Sequence, residues 1–320
     1  SGPAGMAASA YLIQNGYKVD VYEKNDRAGG LMIYGIPNFK LDKKIVERRT
    51  EWLTDSGVVF NLNTEVGKNI SFQDLEKDYD AILIATGVYK ARQLDIDTSS
   101  VNNSIPALDF LIESNRTGLG DSPSKNKYLT AKDKHVVVIG GGDTAMDCVR
   151  TAIRQQAKEV TCLYRRNKEN MPGSAREVLN AEQEGIKFNW LSVPSKIISD
   201  SATATSMTYK VATLGEVDES GRRKPIDTGV EKQIKSDLII QALGFEPEDL
   251  NNNFKTNIEL TSWKTVKVDF KKFQTSNPKI FAAGDIVRGA SLVVWAIHDG
   301  REVAKSIHNF LQSSKIKKAS

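Results

Sequence analysis

The chain has 320 residues, enough for two domains with a core in each. It is 40% apolar and 26% charged, and its net charge of +4 is spread along the length. That balance fits a soluble globular protein and argues for neither a nucleic-acid nor a membrane surface. No apolar run approaches the roughly 20 residues of a membrane span, and no charged-then-apolar leader is visible. The two cysteines, Cys148 and Cys162, form no CxxC pair. A disulfide scaffold, a metal or iron–sulfur site and a redox dithiol therefore lack ligands here, and a cytoplasmic location is expected.

The chain opens abruptly on Ser1-Gly2-Pro3-Ala4-Gly5, followed by a helical run through Tyr11 and a strand over 18–22. This resembles the end of a GxGxxG turn whose first glycine and leading strand precede Ser1, so a truncated form of a longer protein is expected. Residues 82–87 form a short apolar strand ending in Thr86-Gly87. Residues 92–133, rich in Ser, Asn and Gly, suggest a crossing between domains with one helix around 107–114. A second unit follows: a strand over 135–139, Gly140-x-Gly142-x-x-Ala145, a helix to about 156, and a strand over 159–164. Residues 196–235 alternate polar and apolar around Gly221-Arg222-Arg223-Lys224-Pro225, suggesting an antiparallel hairpin. Residues 237–244 repeat the strand-plus-glycine pattern. The third unit is a strand over 279–283, Gly284-Asp285, and a helix over about 292–311. The tail carrying Lys315, Lys317 and Lys318 reads as a solvated, frayed end.

Strands alternating with helices predict an α/β fold with parallel sheets. Two dinucleotide turns in one chain predict two interlocked Rossmann-like domains. The expected division is 1–105 and 256–320 for a first nucleotide domain, with 106–255 inserted as the second.

A pyrophosphate needs amide groups at a helix N-terminus and glycines that let the backbone approach. Gly142, with strand before and helix after, meets that need. Glu23 follows Gly2 by 21 residues (23 − 2), the offset at which an acid accepts from ribose hydroxyls. The equivalent place in the second unit holds Arg165-Arg166, which suits a 2′-phosphate and favours NADPH over NADH. Asp285, delivered at a strand's carboxyl end, suits a hydroxyl donor such as a flavin's ribityl chain. The helix beginning near Leu292 would aim its positive end at the flavin. Hydride transfer between nicotinamide and flavin needs alignment and no acid–base pair, so no catalytic side chain is expected. His135, His298 and His308 read as structural, Trp52, Trp190, Trp263 and Trp295 as packing residues, and both cysteines as buried and inert.

Four longer motifs, beginning at Gly29 (GGLMIYGIP), Gly140 (GGGDTAMDCVR), Tyr164 (YRRNKENMPGSARE) and Ala283 (AGDIVRGASLVVWAIHDG), are more specific. Over nearly the whole chain the sequence resembles the small (beta) subunits of NADPH-dependent glutamate synthases. The resemblance implies FAD held by Gly2, Pro3, Ala4, Gly5, Glu23, Gly30, Leu31, Lys40, Val66, Gly87, Gly284, Asp285, Leu292 and Val293. It implies NADPH held by Gly142, Asp143, Thr144, Arg165, Arg166 and Gly244. It further implies a large (alpha) subunit as partner, reached through 4Fe-4S clusters, where glutamine and 2-oxoglutarate yield two glutamates. The family's cysteine-rich cluster domain has no counterpart here, so this chain would perform the NADPH-to-FAD step at most. Two other readings stay open: an input module for another acceptor, such as a pyrimidine reductase or a ferredoxin, and a non-catalytic nucleotide-binding remnant.

Overall fold

The computed structural model describes residues 1–217, 221 and 223–319, without the side chains of 314–319. Two compact units share the chain. Unit 1 comprises Ser1–Tyr34, Phe39–Lys90 and Phe245–Ser320, and unit 2 comprises Gly35–Asn38 and Ala91–Gly244. The elements of the first stretch are α1 (Pro3–Gln14), β1 (Asp20–Tyr22), α2 (Leu31–Tyr34), α3 (Lys43–Asp55), β2 (Val59–Asn61), α4 (Phe72–Asp78), β3 (Ile82–Ile84) and β4 (Lys90–Ala91). Next come β5 (Ser104–Pro106), α5 (Ala107–Gly118), β6 (His135–Ile139), α6 (Asp143–Arg154), β7 (Glu159–Leu163), α7 (Ala175–Gln183) and β8 (Lys187–Asn189). They are followed by β9 (Ser192–Asp200), β10 (Thr203–Val217), β11 (Arg223–Lys235) and β12 (Leu238–Gln241). The chain returns through β13 (Phe245–Glu246), α8 (Leu250–Phe254), β14 (Ile280–Ala282), α9 (Asp285–Arg288) and α10 (Val293–Ala319).

Unit 2 has three layers. Its centre is a parallel sheet in the order β5-β12-β6-β7-β8. Strands β6 and β12 are β-branched and buried on both faces, as parallel strands covered on two sides must be. Val136, Val138, Val160, Cys162, Leu238 and Ile240 pack with residues of α5, α6 and α7. Val137, Ile139, Leu163 and Ile239 turn the other way, onto Ala204, Met207 and Tyr209 of β10. That second cover is the antiparallel sheet β11-β10-β9, so the expected hairpin has a third strand. Of its expected turn, Arg222 lies outside the described residues, as do 218–220.

Unit 1 is built around the pairing of α1 with α10. Both carry small residues where they meet: a Cβ on Gly300 would stand 2.2 Å from the Ala4 carbonyl oxygen. Ala8, Leu12, Phe281, Val303, Ala304 and Ile307 fill this seam. Met6 and Ala10, on another face of α1, pack on Leu53 and Val58. The parallel pairs β1–β2 and β3–β14 complete the unit.

The segment 92–133 is no crossing between domains. β5 pairs with β12 as the edge of the central sheet, and Phe110 and Leu111 of α5 are fully buried in the unit 2 core. Buried Asn103 donates to the Ala204 and Asp237 carbonyls and accepts from the Ala204 N–H, at 2.7–3.0 Å. A polar composition thus conceals one apolar stripe and one internal hydrogen-bonding asparagine. The units accordingly divide at Lys90/Ala91 and Gly244/Phe245 rather than after 105 and 255. Trp263, expected to pack, is 79% exposed on the 261–264 turn. α10 continues as helical backbone to Ala319, beyond the expected end near 311, while the side chains of Lys315, Lys317 and Lys318 lie outside the described residues.

If α5 belongs to the unit 2 core, Phe110→Ala should cost about 3–5 kcal/mol. Hydrogen exchange of the β6 and β12 amides should accelerate accordingly. A linker helix would leave those amides unchanged.

Candidate nucleotide-binding sites

In unit 2 the chain turns directly from β6 into α6. A Cβ on Gly140 (φ +144°) would fall 2.1 Å from the Ala242 carbonyl oxygen, so only glycine allows the turn to press against the end of β12. Gly142 is the N-cap of α6, makes no side-chain cap, and has open space where a Cβ would stand. Free space, uncapped first-turn amides and the positive end of a twelve-residue helix are what a pyrophosphate requires. Gly244, at φ +87°, also faces open space. Ala145 is fully buried against the sheet, which seats the helix close.

The two arginines part company. Arg166 is buried, and its Nε donates to the Arg223 carbonyl of β11 at 2.8 Å. It anchors the segment that follows β7 to the antiparallel sheet. Arg165 is exposed at the end of β7. Asp143 spends its Oδ1 on the Ser174 N–H, at 2.9 Å. Thr144 lies half-buried in the first turn of α6.

In unit 1, Gly2 caps α1 without a side-chain hydrogen bond and Pro3 stands at the first helical position, where a missing N–H costs nothing. A Cβ on Gly30 (φ +54°) would lie 2.8 Å from the Gly2 Cα, so the two glycines touch backbone to backbone. Gly29 N–H donates to the Ser1 hydroxyl at 3.1 Å, and that hydroxyl donates to Glu23 Oε2 at 2.5 Å. Glu23, also buried, accepts two bonds from Asn25 on Oε1, at 2.9 and 2.7 Å. The Ser1 amino group also faces Glu23 Oε2, at 3.5 Å. Gly284 joins the same cradle, since its Cβ would lie 3.0 Å from that of Ala4.

Asp285, next in the chain, has its carboxyl pushed up to about 6, chiefly by burial, with Asp299 adding to the rise and the Ser291 N–H opposing it. Such a carboxyl is poorly solvated and suits a hydroxyl donor better than an anion. Asp299, fully buried, is held by Arg288 through Nη2 at 2.7 Å and Nε at 2.5 Å.

One residue of this cradle escapes the sequence reading. Tyr89 lies over Gly87 and Gly30: Cβ atoms built there would stand 2.9 Å from its ring and 3.6 Å from its hydroxyl. Burial raises its phenol's pKa, and Glu23, Asp285 and Glu248 raise it further. The signal was an aromatic two residues past a strand-end glycine. Leu31 opens α2, and Lys40 sits half-buried in the turn before α3. Val66, half-buried, packs against the Phe72–Phe254 core. Leu292 is 58% exposed just ahead of α10, and half-buried Val293 begins that helix.

Among the described residues no group of three or more His, Cys, Asp or Glu is arranged to hold a metal ion, and no helix is long and apolar enough to cross a membrane. Cys148 and Cys162 are free and fully buried; burial holds the first thiol well above its ordinary range and pushes the second up to about 12. Neither is poised for disulfide exchange.

Residues 1–300 match the family described as pyridine nucleotide-disulphide oxidoreductase. The fold agrees: FprA from Mycobacterium tuberculosis in complex with NADPH superposes with a TM-score of 0.79 at 19% identity, over 99% of this chain and 84% of that one. The chain is 50% identical over 317 residues to the glutamate synthase [NADPH] small chain of Azospirillum brasilense, covering 98% of this chain and 66% of that protein. It is 51% identical over 313 residues to the putative glutamate synthase [NADPH] small chain of Cereibacter sphaeroides, covering 97% and 75%. The chain therefore belongs to the pyridine nucleotide-disulphide oxidoreductases, and among them to the glutamate synthase small chains. It spans about two thirds of the length of the first of these relatives.

The Asp285 carboxyl gives a pH-dependent signature. Its raised folded value means that its contribution to stability is fully present below about 3.8 and is lost as pH rises through about 6. In nucleotide-free protein, Asp285→Asn should therefore match the parent at pH 3.5 and exceed it at pH 8, by about 1–2 kcal/mol once solvent screening is allowed for. Thermal unfolding across that range would show it. A gain at both pH values would assign the effect to packing instead.

Proposed function

We propose that this chain takes hydride from NADPH held by unit 2 to FAD held by unit 1, as the electron-entry module of a glutamate synthase. The observation that carries the reading is the presence of two separate glycine-opened helix N-termini in one chain, with the acid Glu23 beside one and the exposed Arg165 beside the other. Gly2, Pro3, Ala4, Gly5 and Gly30 would receive the FAD pyrophosphate, Glu23 a ribose hydroxyl, and Asp285 a hydroxyl of the ribityl chain. Gly87, Gly284, Leu31, Lys40, Leu292, Val293 and Val66 would complete that site, and Tyr89 joins it. Gly142, Thr144 and Gly244 would receive NADPH, with Arg165 meeting its 2′-phosphate and Arg166 bracing the strand behind it.

When bound, FAD supplies a two-electron acceptor, which no side chain of this protein could replace. The protein's own residues orient and desolvate the two nucleotides, and no acid–base pair is required of them. The relatives' names support a large subunit as partner and, with it, the formation of two glutamates from glutamine and 2-oxoglutarate. The iron–sulfur clusters of that relay would lie outside this chain, and the assembly would work in the cytoplasm.

Anaerobic mixing of the flavin-loaded protein with NADPH, and separately with NADH, tests the reading through the flavin absorbance. NADPH should bleach the flavin faster, and Arg165→Ala should reduce the preference about tenfold or more. Equal bleaching by both would overturn the role of Arg165. No bleaching by either, with FAD bound, would leave a nucleotide-binding scaffold.

A further inference from the structure

The segment Asn170-Met171-Pro172-Gly173-Ser174 lies back across the glycine turn of unit 2 without belonging to it. Three hydrogen bonds hold it there. Tyr164 Oη donates to the Asn170 carbonyl at 2.8 Å, Gly173 N–H donates to the Gly141 carbonyl at 2.9 Å, and Ser174 N–H donates to Asp143 Oδ1 at 2.9 Å. The backbones touch: a Cβ on Gly173 would stand 3.1 Å from the Gly141 oxygen and 3.4 Å from the Gly142 carbonyl carbon. The Tyr164 ring also packs against Gly141, whose Cβ would fall 2.3 Å from it. The peptide at Gly141 is thus bounded by both an aromatic ring and a pinned loop. Ser174 is in turn the N-cap of α7. α7 is tied to α6 by Arg150, which pairs with Glu177 and with Glu184, the residue closing α7, each at 2.7 Å.

Asp143 is the first residue of α6, where an incoming phosphate brings negative charge. A carboxylate directed at that charge would oppose it. Here one of its oxygens is engaged by an amide at the N-terminus of another helix, whose dipole offsets the charge. We infer that Asp143 is a positioning residue and no ligand of the nucleotide. With Tyr164 it latches the 170–174 loop over the glycine turn, and the latch holds the first-turn amides of α6 where a pyrophosphate is received. The inference rests on unit 2 being the NADPH-binding unit.

Calorimetric titration of the flavin-loaded full chain with NADP⁺ tests it, with melting temperatures measured alongside. Binding by the parent establishes the footing; absence of binding removes the reading of unit 2 and the latch together. Asp143→Asn keeps the Oδ1 acceptor without the charge and should bind within about twofold of the parent. Asp143→Ala should bind about tenfold more weakly and Tyr164→Phe about three- to fivefold more weakly, because each loses a bond that holds the loop. The KM for NADPH should rise in step while kcat stays. Parent-like affinity in Asp143→Ala overturns the latch. So does equal weakening in the Asn and Ala variants, since that would implicate the charge or a direct contact. Should Asp143→Ala fail to fold, unchanged affinity in Tyr164→Phe overturns it.

Discussion

The contact between Gly140 and the Ala242 carbonyl is the constraint on which unit 2 depends. Because no side chain intervenes, the chain passes from β6 to α6 through only the turn Gly140-Gly141-Gly142. The unspent amides of the helix then open at the carboxyl end of the parallel sheet, where such folds place their ligands. The buried, β-branched β6 and β12 fix the strand ends, the Tyr164 ring and the 170–174 loop bound the turn, and Gly142 keeps the space ahead of the helix clear. Unit 1 meets the same constraint differently: Gly30 presses on Gly2, and the cradle closes through contact of two distant segments.

Charge then separates the two cradles. Glu23 lies inside a shell of donors from Ser1 and Asn25. Unit 2 presents the exposed Arg165 at the corresponding strand end and turns the Asp143 carboxylate onto a helix N-terminus. Tyr89 feels the charges of both Glu23 and Asp285, and burial shifts Tyr89 and Asp285 toward their neutral forms. That side of the cradle therefore favours hydroxyl groups over further anions.

Much of this was legible from residue pattern. The run His135–Ile139 followed by Gly140-Gly141-Gly142 predicted strand, turn and helix where they occur, because apolar periodicity and glycine both act locally. What stayed hidden depends on partners far away in sequence. Ile105, Phe110 and Leu111 look like a linker until β12 and α6 are beside them. Arg165 and Arg166 are equivalent as letters, and only the Arg223 carbonyl makes one of them an anchor. Asp143 reads as part of a binding motif because the Ser174 N–H that engages its carboxylate lies thirty-one residues on. The third antiparallel strand was missed because nothing in 192–200 marks it as pairing with 203–211. Trp263 gave no sign that its turn would leave it in solvent.

Each unit would hold one nucleotide by its own open helix N-terminus. Amide hydrogen exchange of the flavin-loaded protein, with and without NADP⁺, tests this. NADP⁺ should protect the first-turn amides of α6, those of Asp143 and Thr144, and leave Ala4 and Gly5 of α1 unchanged. Protection at α1, or at neither helix despite measurable binding, would contradict it.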